Sequence, residues 1–177
     1  MTRLNRLALL ALPALALTGC ATYGELPTDR VASAELRFAN GLPAGTAQLY
    51  RAGGELRISG AFAGLEAGPH GFHLHTTGRC DAPDFTSAGG HLNPTGAEHG
   101  SENPQGSHLG DLPNLQIAGN GTGSTTATIS DDPAMAEAAI FDADGTAVMI
   151  HAGADDYMSD PAGAAGSRVA CGVLTRS

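Results

Sequence analysis

An antiparallel all-β sandwich or barrel is the fold class that this 177-residue sequence predicts, and three observations carry it. Apolar and polar residues alternate at period two over short runs, the mark of strands with one buried face. Turn-forming Gly, Pro and Asn clusters separate those runs at regular spacing. Twenty-five glycines and ten prolines interrupt the chain too often for long helices. With 42% apolar residues the chain can bury one core, and neither a repeat nor a second domain is visible.

Taken in order, Arg3 and Arg6 precede an apolar run, Leu7 to Leu17, too short to span a bilayer comfortably. Leu17-Thr18-Gly19-Cys20 then resembles a bacterial lipoprotein signal. Residues 1–19 are read as that signal, Cys20 as the lipidated first residue of the mature protein, 20–32 as a polar tether and 33–177 as the domain. Cleavage near Ala21 by a plain secretory signal is the other reading. Both place the domain outside the cytoplasm: in the periplasm or cell envelope and held on a bacterial membrane by the lipid in the first case, freely secreted in the second.

Ala34, Leu36 and Phe38 alternate with Ser33, Glu35 and Arg37 as a first strand, and Asn40–Pro43 turns the chain. Thr46–Arg51 and Glu55–Phe62 form a hairpin through Gly53-Gly54. A turn at Ala67–Pro69 leads into a fourth strand, Gly71–His75. Beyond a long loop, Asn114–Ala118 and Thr125–Ile129 are two further strands. Asp131–Ala139 is either one helical turn opened by Pro133 or a looser segment. Ala139–Phe141 and Ala147–Ile150 flank an Asp-Ala-Asp-Gly turn, and Val169–Leu174 is the last strand.

Charge narrows the function. Eighteen acids face nine basic residues, all arginine, so a nucleic-acid partner is disfavoured for want of a basic face. The chemistry concentrates between Gly71 and Asp111, which hold five of the seven histidines. His73 and His75, two apart in a strand, project from one face and can chelate one ion, and His151 arrives from a second strand. An imidazole-only set suits copper. His91, His99, His108 and Asp111 supply three nitrogens and one carboxylate oxygen, a closed tetrahedral set that suits structural zinc. His70, apart from both sets, reads as a structural hydrogen-bonder.

Gly71-Phe72-His73-Leu74-His75, Gly90-His91-Leu92-Asn93-Pro94, His108-Leu109-Gly110-Asp111-Leu112 and Gly166–Val173 (GSRVACGV) closely resemble the copper/zinc superoxide dismutases, over about residues 33–174. The resemblance implies an eight-stranded Greek-key sandwich or barrel with long metal-binding and channel loops. It implies copper on His73, His75, His91 and His151, and zinc on His91, His99, His108 and Asp111, with His91 shared. Asp155 matches a supporting carboxylate that links a copper-ligand histidine to a zinc-ligand histidine. The activity implied is disproportionation of superoxide by a cycling copper, with His91 and Arg168 as catalytic residues and superoxide as substrate. A non-enzymatic copper- and zinc-binding lipoprotein of the same fold is the alternative, and an interaction domain with zinc alone is a weaker one. If Cys20 carries lipid, Cys80 and Cys171 remain to pair in an oxidising compartment, holding Arg168 near the copper set. The sequence departs from lysine-steered members of the family, because Tyr157–Ser167 lacks lysine, as the whole chain does. Monomer and homodimer both stand, since pattern alone does not separate a surface stripe from the core.

Overall fold

The structure, a computed structural model, describes residues 29–177. The segment read as a signal peptide, Cys20 and most of the segment read as a tether lie outside the described residues. Eight strands carry the fold: β1 Arg30–Phe38, β2 Pro43–Ala52, β3 Glu55–Ala63, β4 Gly68–His75, β5 Asp111–Ile117, β6 Thr122–Ser130, β7 Ala147–His151 and β8 Arg168–Val173. A two-residue strand, β9 Thr175–Arg176, pairs with β1; among the described residues one α-helix, α1 Pro133–Ile140, precedes β7, and a single 3-10 turn lies at Thr86–Ala88.

All strand pairs are antiparallel, in the spatial order β5-β4-β7-β8-β1-β2-β3-β6. The two strands at the ends of that order are consecutive in the chain. A tight turn at Ala118–Gly121 joins them, with the Gly121 N–H donating to the Ala118 carbonyl at 2.8 Å. The sheet therefore curls into a nearly closed Greek-key barrel. Gly123 permits the approach of β6 to β5, since a Cβ there would stand 2.5 Å from the Gln116 carbonyl oxygen. Gly53 and Gly54 both adopt positive φ, 62° and 88°, as a two-residue hairpin turn of the I′ kind requires.

Leu36, Leu49, Ile58, Phe72, Leu74 and Leu115 are fully enclosed within the barrel. Phe62 meets Phe72 edge-on at 5.6 Å between ring centres. β4 and β7 are buried on both faces, which explains why β7 reads as an unbroken apolar run. Phe72, Leu74, Val148 and Ile150 point into the main core, while His73, His75, Met149 and His151 face out under the long loops.

Three sequence expectations change. β1 begins at Arg30, so Arg30-Val31-Ala32, assigned to the tether, belong to the sheet, and Ala32 is fully buried. The Asp131–Ala139 alternative resolves as helix: Asp132 accepts from the Met135 N–H at 3.0 Å as the N-cap, and Pro133 opens the first turn. The helix runs on to Ile140, so Ala139 and Ile140 are not an extended flank of the following turn. Its buried Glu137 takes a two-pronged ion pair from Arg51 on β2, at 2.6 and 2.8 Å.

Candidate metal centre

Backbone bonds stitch the long loop back onto β4. The Thr76 N–H donates to Gly90 O at 2.9 Å, and the Leu92 N–H to Leu74 O at 2.8 Å. The Leu74 N–H in turn donates to Gly110 O at 2.9 Å. His91 is thereby brought beside His75, and His108 and Asp111 follow from the Gly110 side. His151 ends β7 next to β4 in the sheet. One cluster gathers His73, His75, His91 and His151, and a second His91, His99, His108 and Asp111, with donor atoms within 4.8 Å of one another in each.

Each ring of the first cluster has one nitrogen anchored and the other left over. His73 Nε2 donates to Asp155 Oδ2 at 2.7 Å, and His75 Nδ1 to Gly89 O at 2.9 Å. His151 Nδ1 donates to Gly166 O at 3.1 Å, and His91 Nδ1 faces Asp111 Oδ1 at 2.8 Å. His73 Nδ1 and the Nε2 atoms of His75, His91 and His151 are buried with no hydrogen-bond partner. An unpaired buried polar atom costs about 1–3 kcal/mol, so four converging lone pairs fit a bound cation far better than an empty core.

In the second cluster the Nδ1 atoms of His91, His99 and His108 lie 2.8, 3.1 and 3.1 Å from the single oxygen Asp111 Oδ1. His99 Nδ1 forms no hydrogen bond despite that distance. The other carboxylate oxygen, Oδ2, is occupied by the N–H groups of Gly100 (2.9 Å) and His108 (3.0 Å). Three nitrogens around one anionic oxygen fit a divalent ion in a closed site. His91 offers Nε2 to the first cluster and Nδ1 to the second.

Asp155 stands behind both clusters. Its Oδ1 accepts from His99 Nε2 at 3.0 Å while Oδ2 accepts from His73. Protonating those two Nε2 atoms fixes the tautomers and leaves both Nδ1 lone pairs for a metal. Burial alone would raise the Asp155 carboxyl, but hydrogen bonds from His73, His99 and the Tyr157 N–H overcome it and hold the value at about 2. For Asp111, too, burial raises the carboxyl, and the bonds from His91, Gly100 and His108 win, holding it well below the usual range. Burial pushes His75 down to about 2, His151 to about 3 and His91 to about 4. These rings stay neutral and able to ligate at ordinary pH.

That depression has a sign. Unfolded imidazoles take up protons below about pH 6.5, whereas these folded ones resist down to about 4 or lower. The unfolded chain binds more protons across that window, so stability rises with pH through it. The metal-free protein is expected to melt at a lower temperature at about pH 5 than at about pH 7; equal melting temperatures would contradict the burial argument.

Arg168 opens β8, its Nη1 donating to Phe85 O at 2.7 Å and its Nη2 to Gly89 O. Gly89 O also receives His75, so the guanidinium is tied to a ring of the first cluster through one carbonyl. Cys80 and Cys171 form a disulfide that joins the long loop to β8, three residues beyond Arg168. Arg79 is turned to Asp81 on the surface. His70 is buried between two carbonyls, His151 O at 2.6 Å and Glu66 O at 2.9 Å, in the structural role expected of it. Asp156 is an exposed loop acid that accepts from the Ser159 hydroxyl and the N–H groups of Met158 and Ser159.

Two supporting residues carry no signal in the sequence. Asn114 grips the Asp155 backbone on both sides: its Oδ1 accepts the Asp155 N–H and its Nδ2 donates to the Asp155 carbonyl, both at 2.8 Å. Asp160 accepts the His99 N–H at 2.8 Å.

The sequence profile described as copper/zinc superoxide dismutase matches residues 43–174. A superoxide dismutase-like protein of Bacillus subtilis is 44% identical over 106 residues, 59% of this chain, and the chain spans 54% of that relative's length. A relative named Cu-Zn superoxide dismutase 2, from Aquifex aeolicus, is 40% identical over 150 residues, 82% of this chain and 87% of its own. The crystal structure of a SOD-like protein from Bacillus subtilis superposes with a TM-score of 0.76 at 35% identity, over 82% of this chain and 99% of that one. A match across 43–174, together with a near-complete relative at this identity, means that the chain belongs to the copper/zinc superoxide dismutase family.

Proposed function

We propose that the protein is an exported superoxide dismutase, with copper in the four-histidine cluster and zinc in the three-histidine, one-aspartate cluster. One observation carries the reading: each ring of the first cluster is anchored through one nitrogen and leaves the other unpaired toward its neighbours. His73 Nδ1 and the Nε2 atoms of His75, His91 and His151 hold copper; an all-imidazole set favours that metal. The Nδ1 atoms of His91, His99 and His108 with Asp111 Oδ1 hold zinc, in a closed set that leaves no open position. When bound, copper supplies one-electron chemistry, so that two superoxide anions and two protons give dioxygen and hydrogen peroxide.

The remaining work falls to the chain. Arg168, permanently charged and fixed by two carbonyls, attracts the small anion and orients it beside the copper cluster. Asp155 keeps His73 and His99 in the ligating tautomer. His91 holds the two clusters at a fixed relation through one rigid ring. The disulfide supports an oxidising compartment and so export. The basic and apolar start of the sequence and its Leu17-Thr18-Gly19-Cys20 run support a signal (1–19) and lipid on Cys20, followed by a tether up to the start of the domain at Arg30. A homodimer belongs to this reading only if sedimentation of the soluble domain gives twice the chain mass.

The direct test assays a soluble Ala21–Ser177 protein for superoxide dismutation with copper and zinc counted in the same sample. Turnover at one copper and one zinc per chain is the expected outcome. Full loading without turnover would instead indicate a metal-binding lipoprotein. The absence of lysine adds a second expectation. Arg168 acts at short range from a partly buried position, so kcat/KM should fall less between about 0.01 and 0.15 M salt than in a lysine-steered relative. An equally steep fall would show that distant charges do the steering.

A further inference from the structure

Tyr157 is an aromatic residue in the left-handed region, φ 62°, where side chains are rarely placed without cause. All of its polar groups are engaged. Its N–H donates to Asp155 Oδ1 at 2.6 Å. Its carbonyl accepts the Glu102 N–H at 3.0 Å, from the loop that carries His99. Its hydroxyl accepts the Asn114 N–H at 2.8 Å, at the edge of β5. Asn114 in turn grips the Asp155 backbone through its side chain.

These bonds form a closed circuit. It runs from the Tyr157 hydroxyl to Asn114, through the Asn114 side chain to the Asp155 backbone, and from the Asp155 carboxylate back to the Tyr157 N–H. The Asp155 carboxylate is thus fixed from its main chain and from its own oxygen at once, with its two oxygens left in register for His73 and His99. The left-handed turn at 157 is what lets one residue answer Asp155 with its N–H and Asn114 with its hydroxyl.

We infer that Tyr157 is a positioning residue for the metal centre. It clamps Asp155 through Asn114 so that His73 and His99 keep their Nδ1 atoms aimed into their clusters. The inference rests on the metal assignment proposed above. Supporting partners of metal-bound histidines are worth about 10–100-fold in metal affinity. Tyr157→Phe removes only the hydroxyl and strands the Asn114 N–H, and Tyr157→Gly also relieves the backbone conformation.

The test loads the parent and both variants with copper and zinc, then follows zinc release to a chromogenic chelator and the visible band of copper(II). Zinc should leave both variants about tenfold faster. The copper band should shift through His73, and the melting temperature of the metal-free Phe variant should stay close to that of the metal-free parent. Parent-like zinc release and an unmoved copper band in both variants would overturn the inference. So would a Gly variant that retains zinc better than the parent, since the hydroxyl would then be dispensable. A parent that takes up no zinc would overturn the metal assignment itself, whereas a zinc-loaded parent with unaffected variants overturns the role of Tyr157 alone.

Discussion

Replacing His91 with alanine is expected to reduce dismutation by more than the about 10–100-fold that loss of a supporting partner costs, because one ring serves both clusters. The substitution removes Nε2 from the first cluster and Nδ1 from the second, leaving three ligands in each. The fold should survive, since Thr76–Gly90 and Leu92–Leu74 backbone bonds, not the side chain, hold this part of the loop to β4. Turnover measured alongside metal content should show zinc lost and copper bound less tightly. His108→Ala, which takes a donor from the second cluster alone, should spare copper binding. A His91→Ala protein with full activity and both metals would show that the clusters do not depend on a common ring.

Breaking the Cys80–Cys171 bond should be the most damaging change to stability. The bond joins residues 91 apart in sequence, and a closed loop of that size is worth about 4–5 kcal/mol in the chain-entropy account. For a domain of this size that amounts to roughly 10–20 °C in melting temperature. Activity should fall as well, because Arg168 and Cys171 share β8 while the carbonyls that hold Arg168, Phe85 O and Gly89 O, sit on the loop at the other end of the bond. Thermal unfolding and kcat/KM of a Cys80→Ser/Cys171→Ser protein check both effects. A melting shift of only a degree or two would show that loop packing alone holds β8.

The two side-chain clusters were legible in the sequence because ligation tolerates few residue types. His73 and His75 at strand spacing, and three further histidines closing on Asp111, have few other uses in a loop. The β2–β3 hairpin was equally open, since only residues free to take positive φ, such as Gly53-Gly54, make that turn without strain. Closure of the barrel was not. β4 with β7 and β1 with β8 are pairings between distant segments, and period-two patterns do not say which strand meets which. Arg30-Val31-Ala32 escaped because Ala32, though fully enclosed, is too small to stand out as an apolar position. Asn114, Tyr157 and Asp160 escaped for another reason: they act through hydrogen bonds, several of them to backbone groups, and such residues are commonplace in turns.

β1 gives the molecule a direction. The chain joins the sheet at Arg30, and eight residues later, about 26 Å along the strand, Phe38 pairs with Ala170, two positions from Arg168. Whatever grips the N-terminal side of Arg30, whether a lipid, a bead or a fused protein, therefore takes hold at the far end from the guanidinium proposed to receive the anion. A molecule tethered in this way meets its substrate from the open side, and fixing it to a surface should leave its reactive end as accessible as it is in free solution.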